Sequence, residues 1–289
     1  MTLTRQFAAE FAASRVALLG LALLSLVLLA ALFAPWISPQ NPYDLSRLEL
    51  LDSRLPPLAR SAAGAIHWLG TDDQGRDMLS AILYGLRTSV AVGFASTILG
   101  LAIGVSVGLA AGWFGGWLDA LLMRLADLQL SFPSILIALV LLAVLGQGLD
   151  KIIVALVAVQ WAYYARTARA AALVERRKEY IDAAVALAFS NTRIIFRHLL
   201  PNCAPPIIVL ATVQVAAAIT LEATLSFLGL GLPITQPSLG LLISNGFNYL
   251  LSGHYWISVF PGIALLAAIV GINLVADRLR EVLDPHKPR

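Results

Sequence analysis

Charge is scarce in this sequence. Asp, Glu, Lys and Arg together make up 13% of 289 residues, against 59% hydrophobic ones, where a soluble domain carries about 25% charged residues. A mean hydropathy of +0.81 leaves too little polar surface to cover a water-soluble core, which excludes an ordinary cytosolic enzyme, a disordered chain and a secreted disulfide scaffold. Cysteine is nearly absent: Cys203 stands alone, so no internal disulfide can form. The net charge of +3 gives no support to nucleic-acid binding. His67, His198, His254 and His286 are scattered without paired spacing, so no metal site is expected. Neither a Ser/His/Asp arrangement nor a phosphate-cradling Gly loop with its Lys is present, so the chain is expected to bind no cofactor and no ATP of its own.

What remains are long apolar runs, and the solvent they require is lipid. They fall at about Val16–Ala34, Ser89–Ala111, Leu118–Gly146, Ile152–Ala172, Pro206–Leu230 and Trp256–Ala276. None alternates with period two, which excludes a β-barrel and leaves helices as the only way to satisfy the backbone. The expectation is an all-α polytopic membrane protein with six transmembrane helices. The first run is longer than the h-region of a signal peptide, which favours an uncleaved anchor. The segment Arg166–Asn202 holds seven basic residues (Arg166, Arg169, Arg176, Arg177, Lys178, Arg193 and Arg197), and the tail holds Arg278, Arg280, Lys287 and Arg289. Gly231–Tyr255 holds no charge. The positive-inside rule therefore puts both termini and Arg166–Asn202 in the cytoplasm. Ile37–Arg87 then lies outside, its five Arg tolerated because long translocated loops escape the rule.

The chain divides near Ser89 into an N-terminal anchor with its external loop (1–88) and a five-helix core (89–289). In the external loop, Thr71 or Asp72 is expected to cap a short helix from Met78 to Leu86 lying on the outer membrane surface. Gly100, Gly104, Gly108 and Gly112 recur every four residues. That spacing stacks them on one helix face, where another helix can approach closely.

The segment at about 175–202 is the most informative. Its first half, from Glu179, is alanine-rich and helix-favouring. Ser190 or Asn191 supplies a cap for a second helix, which Pro201 is expected to stop. Ala183, Ala184, Leu187 and Ala188 fall at neighbouring i, i+3 and i+4 positions and form a small apolar face. Such a face suits a groove on a partner protein; it suits membrane headgroups equally well.

This segment resembles the conserved cytoplasmic loop of ABC-importer permeases: Glu-Ala-Ala, three residues, Gly, nine residues, Ile, any residue, Leu-Pro. Asp182-Ala183-Ala184 stands for Glu-Ala-Ala, Ala188 for the Gly, His198 for the Ile, and Leu200-Pro201 for Leu-Pro. The spacing matches throughout, and Ala188 is the sharpest departure, because Gly adopts positive φ freely and Ala resists it. His67-Trp68-Leu69-Gly70-Thr71-Asp72, Gly75-Arg76-Asp77, Leu83–Ser89, Ser131-Phe132-Pro133, Glu222–Gly231 and Asp277–Arg280 with Leu283-Asp284-Pro285 extend the likeness over nearly the whole chain. Together they resemble the second ("C"-type) permease of dipeptide, oligopeptide and nickel importers. The resemblance implies a type I permease fold in a bacterial inner membrane. It also implies pairing with a second permease, two ATP-binding subunits and an extracytoplasmic solute-binding protein. Glu179, Asp182, Ala183, Ala184, Leu187, Ala188, Ser190, Leu200 and Pro201 would then dock the ATPases, the helix around Asp182–Ala188 acting as a lever.

Polar residues within apolar runs usually face the bundle interior. Glu222, Gln214 and Gln160 are the candidates for the translocation pathway, with an interhelical hydrogen bond the alternative for Glu222. Trp161, Tyr163 and Tyr164 read as an interfacial belt. A secondary transporter would need intramembrane charge pairs or interrupted half-helices in both halves, and an intramembrane enzyme a nucleophile–base pair. Neither is evident.

Overall fold

Ser14 accepts a hydrogen bond from the Ala17 amide and starts helix α1 (Arg15–Ile37), which ends just after Pro35. The computed structural model describes residues 9–44, 50–61 and 64–283. The tail cations Lys287 and Arg289, His286 and the Asp284-Pro285 pair lie outside the described residues. A mostly irregular excursion follows α1, with a two-stranded antiparallel sheet of β1 (Ala59–Arg60) and β2 (Ile66–His67). Next come α2 (Met78–Phe114), α3 (Gly116–Leu130), α4 (Ser134–Leu145) and α5 (Leu149–Glu175). The short α6 (Glu179–Ala186) and α7 (Asn191–Ile194) lead through one π-turn into α8 (Leu200–Phe227). α9 (Leu239–Phe247) and α10 (Trp256–Leu283) complete the chain.

Four boundaries differ from the sequence expectation. The cap before Met78 is Asp77, whose carboxylate accepts from the Ser80 amide at 2.9 Å. Asp72 instead turns its carboxylate onto the Gln74 and Arg76 amides, each at 2.9 Å. The helix from Asp77 does not stop at Leu86: Arg87-Thr88-Ser89 contains no breaker, so α2 runs on for 37 residues and Ser89 sits inside it. Leu118–Gly146 is not one helix either. α3 and α4 meet at a bend of 89°, because Pro133 lacks an N–H and disfavours helical geometry at Phe132. Finally, Pro201 does not end a helix but stands at the start of α8. The preceding turn, Ile195–Leu199, is wound wider as a π-helix, which accommodates the missing amide.

Among the described residues, α1, α2, Asn191–Phe227 and α10 are long and apolar enough to cross a membrane, and the bent pair α3–α4 brings the count to five. The sixth expected run, Ile152–Ala172, lies within α5, where Asp150, Lys151, Arg166 and Arg169 dilute the apolar stretch. α5 is nonetheless central. Gly100, Gly104, Gly108 and Gly112 all lie against it: a Cβ on Gly108 would stand 2.8 Å from Ala168 Cβ, and one on Gly112 2.8 Å from Ala172 Cβ. Tyr164 is fully buried beneath this stripe, so it belongs to the core and not to an interfacial belt. Arg169 of α5 grips Asp119 of α3 with two parallel bonds, Nε–Oδ1 at 2.5 Å and Nη2–Oδ2 at 2.6 Å. α1 lies on the far side against α10 and α2, with Gly20 under Leu274 and Gly271 under Leu24.

Candidate functional site: an exposed loop, an uncharged cavity and a buried knot

Three places concentrate polar or unpartnered groups. The first is α6 with its turn. Lys178 ends the extended entry to α6 and its Nζ reaches Glu175 at 2.6 Å, while Tyr180 donates its hydroxyl to the other Glu175 oxygen at 2.7 Å. Burial would raise the Glu175 carboxyl, yet the bonds from Lys178 and Tyr180 outweigh it and hold the group below its ordinary range. Ile181 and Ala184 are buried with Leu109 and Trp113 of α2, Ala168 of α5 and Leu199 and Cys203 beyond the turn. This corrects the expected face: Ala184 points into the chain's own core, whereas Ala183, Leu187 and Ala188 remain exposed. Val185, which the spacing argument passed over, is 54% exposed beside Leu187 at 68%. Its signal was its position one residue beyond a buried i, i+3 pair, Ile181 and Ala184.

The end of α6 is a Schellman turn. The Ala188 amide donates to the Val185 carbonyl at 2.9 Å and the Phe189 amide to the Ala184 carbonyl at 3.2 Å. This closure requires a left-handed residue, and Ala188 takes it with φ +55. Ser190 then accepts from the Arg193 amide and starts α7, while Arg193 lies 3.9 Å over the Phe189 ring. Glu179, Asp182 and Pro201 are exposed around this turn and Leu200 is half-buried.

The second place is a cavity of about 390 Å³ between α4, α5 and α8. Ser134, Gln160, Tyr163, Gln214, Thr220 and Thr224 supply its polar wall. Gln160 and Gln214, two of the three pathway candidates, meet here. Glu222 does not: it is wholly buried and accepts from Ser89 Oγ of α2 and from Ser226 Oγ, each at 2.8 Å, with Ser238 as a further hydroxyl partner. It joins α2, α8 and the cap of α9 and stands off the cavity wall.

The third place is a buried knot at the start of α2. Arg76 is fully buried and bonds Asp72 at 2.6 Å and the Ile234 carbonyl at 3.1 Å. His67 Nδ1 lies 2.9 Å from Asp77 Oδ1, and Trp256 Nε1 donates to the Thr71 carbonyl at 3.1 Å. The motif therefore ties the excursion to α2, α10 and the loop before α9. Among the described residues no group of three or more His, Cys, Asp or Glu is placed to hold a metal ion.

Comparison with known proteins identifies the architecture. Residues 100–287 match the family described as the inner membrane component of binding-protein-dependent transport systems, and residues 2–57 match the N-terminal transmembrane domain of oligopeptide transport permease C. The chain belongs to this family of ABC-importer permease subunits. It is 40% identical over 285 residues to the dipeptide transport system permease protein DppC of Escherichia coli K12, covering 99% of this chain and 94% of that one. It is 37% identical over 281 residues to the di/tripeptide transport system permease protein DppC of Pseudomonas aeruginosa, covering 97% and 91%. Its fold is similar to a chain of the methionine ABC transporter MetNI solved in inward-facing conformations, with a TM-score of 0.58, 22% identity, and 72% of this permease and 98% of that chain covered. The permease is thus a multi-pass transport subunit of an importer.

Proposed function

We propose that this permease forms half of a translocation pathway for di- and oligopeptides, with a second permease as the other half. Two ATP-binding subunits supply the energy and an extracytoplasmic binding protein delivers the solute. ATP is bound by those subunits, and this chain contributes no hydrolytic site. The peptide assignment draws on the names of the DppC relatives; nickel or another small solute carried by the same architecture is the second reading, and a stand-alone secondary transporter a remoter one. Both termini lie in the cytoplasm, with α5 as the sixth crossing between the bent pair and α8. Residues 1–88 serve as anchor and outer surface, and residues 89–289 as the moving core.

The observation that carries the coupling role is the two-sided character of α6. Its inner side, Ile181 and Ala184, is fixed in the bundle, while Ala183, Val185 and Leu187 on the outer side have no partner within the described chain. Glu179, Asp182, Ala188, Ser190, Leu200 and Pro201 surround that outer side and would complete the docking surface for an ATPase groove. Such a surface transmits motion only if its affinity for the ATPase differs between two states.

Purification of the tagged protein in mild detergent tests the reading. Recovery of a second permease and ATP-binding subunits, with the ATPases lost in Leu187→Asp, supports it. Leu187→Asp is preferred to a change at Ala184 because Leu187 is exposed and its loss leaves the core intact. Purification of the protein alone, with solute transport in liposomes, would make the secondary transporter the better account.

A further inference from the structure

The cavity at the bend carries polar groups on a partly apolar wall and no charged one. Along α8 its wall is a stripe at three- and four-residue spacing, Gln214, Ala217, Thr220 and Thr224, faced by Gln160 of α5 and Ser134 of α4. Thr220 donates its hydroxyl to the Ala216 carbonyl and Thr224 to the Thr220 carbonyl, both at 2.8 Å. Each hydroxyl is thereby used as a donor and has only lone pairs left to offer. Gln160 accepts from Thr97 at 3.5 Å, and its NH₂ group has no partner among the described residues. Gln214 makes no side-chain hydrogen bond among them, though it is 8% exposed. Beside the apolar Ile135, Val159 and Leu221, the wall thus presents hydroxyl oxygens and two side-chain amides, the complement of a peptide group with its one N–H and one C=O. It presents no carboxylate, ammonium or guanidinium that could pair with a charged side chain.

We infer that this cavity holds peptides in transit by their backbone amides and is indifferent to the charge of their side chains. The inference rests on the peptide reading above. Contacts of this kind are strong enough to admit a solute and weak enough to release it. Ala217 and Thr220 are exposed on the open side, where the second permease would close the cavity.

The test uses the intact complex in proteoliposomes, supplied with ATP and with its binding protein loaded beforehand. Three labelled peptides are compared, equal in length and carrying a neutral, an acidic or a basic side chain, each chosen from those the binding protein retains. Gln214→Leu should lower uptake of all three by one common factor of about three to ten, the value of one ordinary hydrogen bond. Gln214→Glu should separate the three rates according to charge. Ala217→Trp, at an exposed position, should fill the cavity and lower uptake by about tenfold or more while hydrolysis stimulated by the binding protein persists. Wild-type uptake in both Gln214→Leu and Ala217→Trp would overturn the inference, as would a loss in Gln214→Leu confined to one charge class. A wild-type complex that moves none of the peptides would instead refute the peptide reading itself.

Discussion

Arg76 and Ile234 lie 158 residues apart in sequence, yet the Arg76 guanidinium donates to the Ile234 carbonyl at 3.1 Å from a fully buried position. Asp72 neutralises the cation from four residues away, at 2.6 Å. The charge is thus held in a fully buried position between two partners.

Removing one of them should therefore be severe. Asp72→Asn or Arg76→Ala leaves an uncompensated buried group, a change that costs about 3–5 kcal/mol. The expected outcome is loss of folded protein from the membrane fraction, or a strongly lowered unfolding midpoint in detergent. Arg76→Lys should fare little better, because a point charge cannot serve Asp72 and Ile234 together. A wild-type midpoint in either single variant would show that the pair is dispensable.

Ala188 offers the opposite experiment. An L-residue with φ +55 is strained by about 1–2 kcal/mol relative to right-handed geometry, whereas Gly is not. Ala188→Gly should stabilise the Schellman turn by on the order of 1 kcal/mol. Slower amide exchange at Ala188 and Phe189 positions, or a raised unfolding midpoint, is the result to look for; faster exchange would contradict it.

Gly108→Val tests the contact between α2 and α5. The new Cβ would stand 2.8 Å from Ala168 Cβ, and nearer still to the Ala165 carbonyl oxygen. Backbone cannot yield as a side chain can, so the two helices must part, at a cost of about 1–3 kcal/mol. Gly115→Ala would not report on this contact, since its strain comes from its own φ of +67. Undiminished thermal stability in Gly108→Val would mean that the helices separate freely.

The loop before α2 should also respond to pH. Burial raises the Asp73 carboxyl above its ordinary 3.8, and neighbouring Asp72 raises it further, more than Arg76 and Arg54 lower it. A carboxyl with a raised folded-state pKa favours folding when protonated, and that contribution is lost as pH rises through the folded value. Asp73→Asn should therefore be more stable than wild type at neutral pH. The difference should vanish below about pH 3.8, where the wild-type group is protonated in both states. Equal stability of the two proteins at pH 7 would remove Asp73 as a source of strain.

Much of this architecture was legible in the residues. Apolar runs located most of the helices, because hydrocarbon length and backbone satisfaction leave few alternatives. The four-residue glycine period pointed to one close-packed face, and α5 lies against it. Other features were hidden for physical reasons. Ser131-Phe132-Pro133 sits in an apolar run whose composition says nothing of a bend, although Pro133 supplied the cause. Pro201 was read as a stop because proline usually is one, whereas here the helical chain runs on through it, the wider π-turn before it absorbing the missing amide. Ala184 was assigned outward because helical spacing tells which residues share a side and not which side is covered. Only the packing of Leu109 and Trp113 decides that. Glu222 was legible as costly to bury; its serine partners lie on α2, four residues along α8, and at the cap of α9, so no local pattern could announce them.

The uninterrupted course of α2 sets a condition on any working cycle. At about 1.5 Å per residue, a helix of 37 residues spans far more than a bilayer core. Asp77, the cap before its first turn, belongs to the knot around Arg76, and Leu109 and Trp113 near its last turn belong to the cluster that seats α6. The knot around Arg76 and the seat of α6 are thus fastened to opposite ends of one continuous helix. With α6 as the proposed docking lever, a displacement imposed on it reaches the knot in the same stroke, so the two ends of α2 cannot be set independently.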